Sequence, residues 1–96
     1  MPTVVVTRGA ADDLNRLMRS HNLPRSTPDR VRRNLDPLRR FPLLGAELYG
    51  RWAGLRFILG PWRWLLVIYR YEEANDRVTV VGFEDGRSGS APRSGA

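Results

Sequence analysis

The sequence contains no cysteine, no lysine and a single histidine, His21. Without cysteine there can be no disulfide framework and no thiolate metal site, and one histidine cannot supply a zinc cluster by itself. We therefore expect neither a metal nor another cofactor. No segment approaches the roughly 20 apolar residues of a spanning helix, and residues 1–8 lack the basic and apolar regions of a signal peptide. We expect a cytoplasmic protein with no membrane partner.

The sixteen basic side chains are all arginines, and together with ten acidic residues they give a net charge of +6. Codon bias acting on a solvated surface would explain this excess without any function. Guanidinium groups also bind phosphate in a bidentate fork, so the same excess favours a polyanionic or acidic partner. Because arginine does not deprotonate near neutral pH, it can stabilise charge but is a poor general base. The composition therefore limits the chemistry that the chain can do alone.

The 96 residues fit one small domain, and 42% hydrophobic with 27% charged residues is the balance of a globular protein. Thr3–Thr7 is a β-branched run that predicts a short strand near a sheet edge. Helical spacing of apolar residues after the candidate N-cap Thr7 predicts a first helix, which ends at Pro24. A second helix is predicted from Thr27, and Pro37 should kink or shorten its last turn.

Three further strands are predicted in residues 55–59, 62–73 and 77–83, joined by short hairpins. With the first strand they predict an α+β fold of order β-α-α-β-β-β. Two N-terminal helices pack on one face of a twisted, mainly antiparallel four-stranded sheet. Residues 1–87 form this domain. Residues 88–96 are small, polar and proline-broken, and they predict a flexible C-terminal tail.

A two-residue loop at Gly60 and Pro61 would place Leu59 opposite Trp62 and would sort the two faces of the sheet. One face would be wholly apolar and would pack on the helices; it contains Leu55, Phe57, Leu59, Trp62, Trp64, Leu66 and Ile68. The other face would contain Arg56, Ile58, Arg63, Leu65, Val67 and Tyr69. Two guanidinium groups above an apolar floor, on a face that no helix covers, predict a docking surface for a phosphate chain or a partner helix.

A set of short motifs lies between Thr3 and Ser88; its residues are Pro42, Gly45, Leu48-Tyr49-Gly50, Arg56, Gly60, Trp62, Arg63, Tyr69 and Arg87. These motifs and the order of the elements resemble the RelE/ParE superfamily of bacterial toxins. The resemblance implies the toxin of a type II toxin–antitoxin pair, neutralised by a cognate antitoxin whose C-terminal segment folds over it. It also implies that Arg56, Arg63 and Arg87 are catalytic residues that grip or polarise the scissile phosphate of mRNA on the ribosome. Arginines aimed at a developing charge can stabilise a phosphoryl transition state without moving a proton.

The sequence also departs from the ribonuclease members of that superfamily, which often carry a C-terminal tyrosine or histidine and lysines in the second strand. No tyrosine or histidine follows Arg87. We expect Tyr69 and Tyr71 to be packed residues, and His21, which follows the first helix, to lie on the surface away from the site. The acids that precede Arg87 are expected to form an exposed ion pair with it.

Three functions fit these residues. The first is a ribosome-dependent endoribonuclease, or mRNA interferase, that uses the three arginines. The second is a non-catalytic poison of the ParE type that binds DNA gyrase on cut DNA, which needs shape and charge but no acid or base. The third is a decayed toxin that only holds its antitoxin. All three share the antitoxin partner, and a groove left empty without it predicts poor solubility of the free chain.

Overall fold

The computed structural model describes residues 1–89 and 91–92. The chain forms β1 (Thr3–Val6), α1 (Arg8–Ser20), α2 (Thr27–Leu35), β2 (Ala46–Glu47), β3 (Arg56–Leu59), β4 (Leu65–Glu72) and β5 (Arg77–Asp85). Short 3-10 helices cover Asp36–Arg39, Gly50–Trp52 and Glu73–Asn75. The predicted order of helices and longer strands is confirmed. The two-residue strand β2 is additional and makes the sheet five-stranded instead of four-stranded.

Local sequence signals account for the ends of both helices. The Thr7 hydroxyl oxygen accepts a hydrogen bond from the Ala10 amide at 3.1 Å, so Thr7 caps α1 as predicted. Helix α1 ends at Ser20, earlier than predicted, because the chain turns at Asn22 with φ 51°. Pro37 lacks an amide proton, so α2 stops before it and the chain continues as a 3-10 helix.

The sheet has the strand order β1-β5-β4-β3-β2, with β1 parallel to β5 and the other pairs antiparallel. The expected edge position of the first strand is confirmed. In β5 the register shifts by one residue: Ile68 lies opposite Gly82, whereas Tyr69 lies opposite Val80. Val81 is therefore the extra residue of a β-bulge.

Both helices pack on the same face of the sheet, as predicted. The buried residues of this layer are Ala10, Leu14, Val31, Leu35, Leu38, Leu65, Val67, Tyr69, Val78, Val80 and Phe83. A smaller apolar cluster covers part of the opposite face; it consists of Leu48, Leu66 and Ile68, with Trp52, Leu55, Phe57, Val81 and Ala91 packed against them. The central strand β4 is therefore covered on both sides.

The predicted register between β3 and β4 is wrong. Leu59 lies opposite Leu66 and not opposite Trp62, because residues 60–64 form a longer connection in place of a two-residue turn. The Gly60 amide donates to the Leu65 carbonyl at 2.8 Å and closes this connection. Trp62 and its neighbour Trp64 are not strand residues but pack against the helical core from the connection.

The helices also pack on the face of β3 and β4 opposite to the predicted one. The change of register does not cause this, because Leu59 moves from Trp62 to Leu66, an even number of residues, so the same side chains still share a face. Leu65, Val67 and Tyr69 are fully buried beneath the helices. Leu66 and Ile68, predicted to contact the helices, lie in the cluster on the opposite face. The predicted docking surface, with arginines above an uncovered apolar floor, is therefore absent from the described structure.

The predicted tail is described only in part. The Ala91 amide donates to the Ser88 carbonyl at 3.1 Å, and Ala91 packs against the cluster on the face opposite the helices. Residues 90 and 93–96 lie outside the described residues. The boundary between a domain of residues 1–87 and a flexible tail of residues 88–96 stays a prediction.

Candidate functional site

Arg63 and Arg87 lie at the same end of the sheet. Arg63 is in the connection that precedes β4, and Arg87 follows β5. The antiparallel pairing of these strands places Leu65 opposite Asp85, and the Gly86 amide donates to the carbonyl next to Arg63, that of Trp64, at 2.6 Å. Both arginine side chains are exposed. Two of the three arginines that the sequence predicts are thus brought to one end of the sheet.

Arg56 lies elsewhere on the sheet. It is on β3 opposite Tyr69, whereas the end with Arg63 and Arg87 is at Leu65, four residues earlier on β4. A strand rises roughly 3.3 Å per residue, so these positions are about 13 Å apart along the strand direction. The structure does not bring Arg56 to the other two arginines.

The guanidinium of Arg56 is occupied by the segment that contains β2. Its Nη1 donates to the Gly45 carbonyl at 2.8 Å and to the Leu43 carbonyl at 3.4 Å, and its Nη2 donates to Glu47 Oε1 at 2.9 Å. The side chain is only 23% exposed. Arg56 therefore fastens residues 43–47 to the sheet.

Arg87 is held by a bidentate ion pair and by an aromatic ring. Its Nε and Nη2 donate to the two carboxylate oxygens of Asp85, each at 3.0 Å, and its guanidinium carbon lies 4.8 Å from the centre of the Trp64 ring. The Arg87 hydrogen bond holds the pKa of the Asp85 carboxyl well below its ordinary range. A guanidinium has five N–H donors, so an edge of Arg87 remains available to a second anion.

His21 belongs to the same cluster. Its Nε2 lies 3.0 Å from Asp85 Oδ2, and its Nδ1 lies 2.9 Å from Ser20 Oγ and 3.2 Å from the Leu17 carbonyl. Its ring stacks on Trp64, with centroids 4.5 Å apart and 14° between the planes. The prediction that His21 lies away from the site is wrong. No sequence pattern links His21 to Asp85; packing of α1 along β5 brings them together.

A second tryptophan extends this stack toward α2. Trp62 lies beside Trp64 with ring centroids 6.1 Å apart, and the guanidinium carbon of Arg30 lies 5.9 Å from the Trp62 ring. The connection before β4 is thus held between the C-terminal end of α1 and the Arg30 side chain of α2. This support fixes the backbone on which Arg63 is placed.

The two tyrosines of β4 are both engaged within the fold. Tyr69 is fully buried and its hydroxyl oxygen accepts the Gly45 amide at 2.8 Å, so the expectation of a packed residue is confirmed. Burial raises the pKa of its phenol. The Tyr71 hydroxyl donates to Asp76 Oδ1 at 2.6 Å, and this hydrogen bond raises the pKa of Tyr71.

The described residues contain neither a membrane-spanning helix nor a cluster of metal ligands. No described helix has both the length and the apolar composition needed to cross a bilayer. Across residues 1–89 and 91–92, no three histidine, cysteine, aspartate or glutamate side chains are grouped as ligands for a metal ion.

Two solved structures share this fold. A chain of the "Chromosomal ParDE TA system from P. aeruginosa" has a TM-score of 0.66 at 15% sequence identity, with 88% of this chain and 96% of that chain covered. A chain of the toxin–antitoxin complex RelBE2 from Mycobacterium tuberculosis has a TM-score of 0.60 at 24% identity, with 88% and 99% covered. No family model matches the sequence, and no curated protein matches it. The chain therefore has a RelE/ParE-like fold, which confirms the fold class that its motifs predict.

Proposed function

We propose that this chain is the toxin of a type II toxin–antitoxin module. It acts in the cytoplasm, arrests growth by ribosome-dependent cleavage of mRNA, and is neutralised by a cognate antitoxin. The observation that carries this proposal is the RelE/ParE-like fold over 88% of the chain, shared with chains of two toxin–antitoxin systems. Fold alone does not define activity, so the proposal depends on the site.

The exposed guanidinium groups of Arg63 and Arg87 support a phosphate as the ligand. Within the described part of the chain, Arg63 has no ion-pair partner, so its donors are open to a ligand. Arg87 retains a free guanidinium edge beside its pair with Asp85. Two guanidinium cations can stabilise the charge that develops on a phosphate as a 2′-hydroxyl attacks it.

Proton transfer is the step that these arginines cannot perform at neutral pH. The acid and base are therefore supplied by the ribosome or by the message itself. Arg56 is assigned a supporting role, because its guanidinium is bound to the Gly45 carbonyl and to Glu47. This assignment differs from the sequence prediction of three arginines that act on one phosphate.

A gyrase poison of the ParE type is the second candidate. The observation that favours it is the separation of Arg56 from Arg63 and Arg87, since three basic residues do not converge on one reacting group. The hydroxyl groups of Tyr69 and Tyr71 are also bound within the fold. A protein that traps gyrase on cut DNA needs a matching surface and charge, and no proton transfer.

Arg63→Ala distinguishes these functions. The chain is expressed from a tightly controlled promoter without its antitoxin, and mRNA 5′ ends are mapped as growth stops. We expect new ends at codon boundaries of translated messages, with cleavage reduced roughly 100-fold in Arg63→Ala because a charge-stabilising donor is lost. Arg25→Ala, which removes another exposed arginine between the helices, is the control and should cleave like the unmodified chain.

Other outcomes would contradict mRNA cleavage. Growth arrest with intact messages and a DNA-damage response would assign the activity to gyrase. A chain that accumulates without slowing growth would be a decayed toxin. Equal thermal unfolding of the two variants excludes misfolding as the cause of a loss.

A further inference from the structure

Three separate parts of the fold meet around the Arg87 side chain. We call His21, Trp64, Asp85 and Arg87 the Arg87 clasp. His21 comes from the end of α1, Trp64 from the connection before β4, and the other two from the end of β5. Asp85 lies at the centre, with Arg87 on both carboxylate oxygens at 3.0 Å and His21 Nε2 at 3.0 Å from one of them.

The clasp restricts a side chain that would otherwise sample many rotamers. Arg87 is 62% exposed, and an exposed arginine without such contacts is mobile. Here its Nε and Nη2 lie against Asp85, and one face of the guanidinium lies on Trp64. The plane and the free edge of the cation are therefore both defined.

The negative charge of Asp85 opposes the binding of an anion by Arg87. Its carboxylate is 19% exposed and lies in direct contact with the guanidinium, so its negative charge partly offsets the positive charge of Arg87. By charge alone, Asp85 should weaken the attraction of Arg87 for a phosphate. Asp85 strengthens phosphate binding only if the benefit of orienting the Arg87 guanidinium exceeds the cost of the repulsion between Asp85 and the phosphate.

We propose that His21, Trp64 and Asp85 are positioning residues that direct the free edge of the Arg87 guanidinium toward a bound phosphate. Asp85 sets the plane of the cation, Trp64 supports its face, and His21 holds both of them through a hydrogen bond and a ring stack. This inference rests on the proposed function, because it takes a nucleic-acid phosphate as the ligand of Arg87.

A surface pair on α2 provides a matched control. Arg32 Nη1 donates to Asp29 Oδ1 at 2.7 Å, and the two side chains are 73% and 70% exposed. This pair is also formed by an acid and an arginine close in sequence, but it has solvent on all sides. Its acid should have no effect on how its arginine meets an anion.

The test is a double-mutant cycle on the full chain, with a fluorescein-labelled single-stranded RNA as the probe and anisotropy measured over a series of salt concentrations. Arg87→Gln should weaken binding roughly five- to tenfold and reduce the salt slope by about one unit. In an Asp85→Asn background, Arg87→Gln should change binding by less than about twofold, since the cation is no longer directed. In the control pair, the effects of Asp29→Asn and Arg32→Gln on the free energy of RNA binding should be additive.

If Asp85 affects Arg87 only through its charge, Asp85→Asn should have the opposite effect on the loss of RNA binding caused by Arg87→Gln. Asp85→Asn would then release Arg87 from its partner, and Arg87→Gln would weaken binding at least as much in that background as alone. That result would overturn the inference. RNA binding too weak to measure in the unmodified chain would overturn the assignment of a nucleic-acid phosphate as the ligand of Arg87. Absence of new mRNA 5′ ends on expression would instead contradict the proposed function, so the two failures are distinguishable.

His21 is tested by a conservative substitution. His21→Gln keeps a donor near Asp85, so Arg87→Gln should weaken RNA binding as much in this variant as in the unmodified chain. In His21→Ala, the loss of RNA affinity caused by Arg87→Gln should be smaller. If Arg87→Gln weakens RNA binding equally in His21→Ala and in the unmodified chain, His21 does not position Arg87.

A spectroscopic measurement on the unmodified chain covers the case in which Asp85→Asn fails to fold. The Trp64 ring current should shift the Arg87 side-chain protons upfield, and the Arg87 Nε proton should exchange slowly with water because it is bonded to Asp85. Arg87 signals at free-arginine positions with fast exchange would overturn the inference.

Discussion

At the scale of single residues, Gly45 is the described glycine at which an added Cβ atom would meet the shortest contact. A Cβ atom there would lie 2.5 Å from the Phe57 carbonyl oxygen and 2.8 Å from both the ring and the hydroxyl oxygen of Tyr69. The Gly45 amide donates to that hydroxyl, and its carbonyl accepts from Arg56. Since backbone and a buried ring surround it, no flexible side chain can move away to make room.

Gly45→Ala should therefore lower the free energy of unfolding by roughly 1–3 kcal/mol, the range for overpacking of a buried site. Gly9→Ala is the control, because a Cβ on this helical residue would meet only the Thr7 hydroxyl oxygen at 3.9 Å. That change should be neutral or stabilising. Urea unfolding followed by tryptophan fluorescence measures both, and equal midpoints would refute the close packing around Gly45.

The hydrogen bonds of Glu72 make the free energy of unfolding depend on pH. Its carboxylate accepts from Arg77 Nε and Nη2, each at 3.1 Å, and from the Thr79 hydroxyl. The Arg77 hydrogen bond, followed by that of Thr79, lowers the pKa of Glu72 from 4.5 to about 2. A folded-state pKa below the unfolded one contributes stability that is complete above pH 4.5 and is lost as the pH falls toward 2.

Glu72→Gln should flatten the loss of stability between pH 4.5 and about 2. Glu84 acts in the opposite direction, because burial raises the pKa of its carboxyl, so it does not account for acid sensitivity. The exposed neighbour Glu73→Gln is the control and should leave the slope unchanged. Urea midpoints over a pH series provide the measurement; identical slopes in all three proteins would contradict the role of Glu72.

At the scale of elements, the helices were predictable and the register of β3 and β4 was not. Thr7 and Pro37 act through local hydrogen bonding, so the sequence alone indicates where helices begin and stop. β4 is apolar on both faces because both are covered, and therefore no alternation shows which side meets the helices. Gly60-Pro61 indicated a tight turn, but burial of two tryptophan rings favours the longer connection.

The same distinction applies to the candidate site. The common location of Arg63 and Arg87 follows from antiparallel pairing of neighbouring strands, which the sequence predicts. The contact of His21 with Asp85 joins residues that are 64 apart in sequence, and it depends on how α1 lies across β5. The occupation of Arg56 depends on β2, a two-residue strand too short to leave a sequence pattern.

Tyr69 is the contact through which β4 holds the segment containing β2. Tyr69→Phe would remove the acceptor of the buried Gly45 amide, and we expect a loss of about 1–3 kcal/mol in the free energy of unfolding. Tyr71→Phe removes an exposed hydroxyl bonded to Asp76 and should cost less than about 1 kcal/mol. Chemical denaturation compares them, and the reverse order would contradict this account.

At the scale of the whole molecule, charge and exposed apolar surface act against each other. The net charge of +6 keeps copies of the chain apart through repulsion that salt screens. The segment after the second helix exposes Phe41, Leu43, Leu44 and Tyr49 by 57–62% of their surfaces. Apolar side chains that are close in sequence and exposed together favour association. The proposed antitoxin would reduce both effects if its bound segment were acidic and apolar.

Self-association of the free chain should therefore increase with salt, because screening removes the repulsion while the apolar contact persists. Leu43→Ser combined with Leu44→Ser should raise the concentration at which the chain begins to self-associate. The increase is roughly tenfold if the two leucines contribute about 1.4 kcal/mol to association. Leu59→Ser, at an apolar residue of β3 that is 45% exposed, is the control and should have a smaller effect. Sedimentation velocity at low and high salt measures the distribution. A monodisperse unmodified chain at high concentration and high salt would show that these side chains do not cause association.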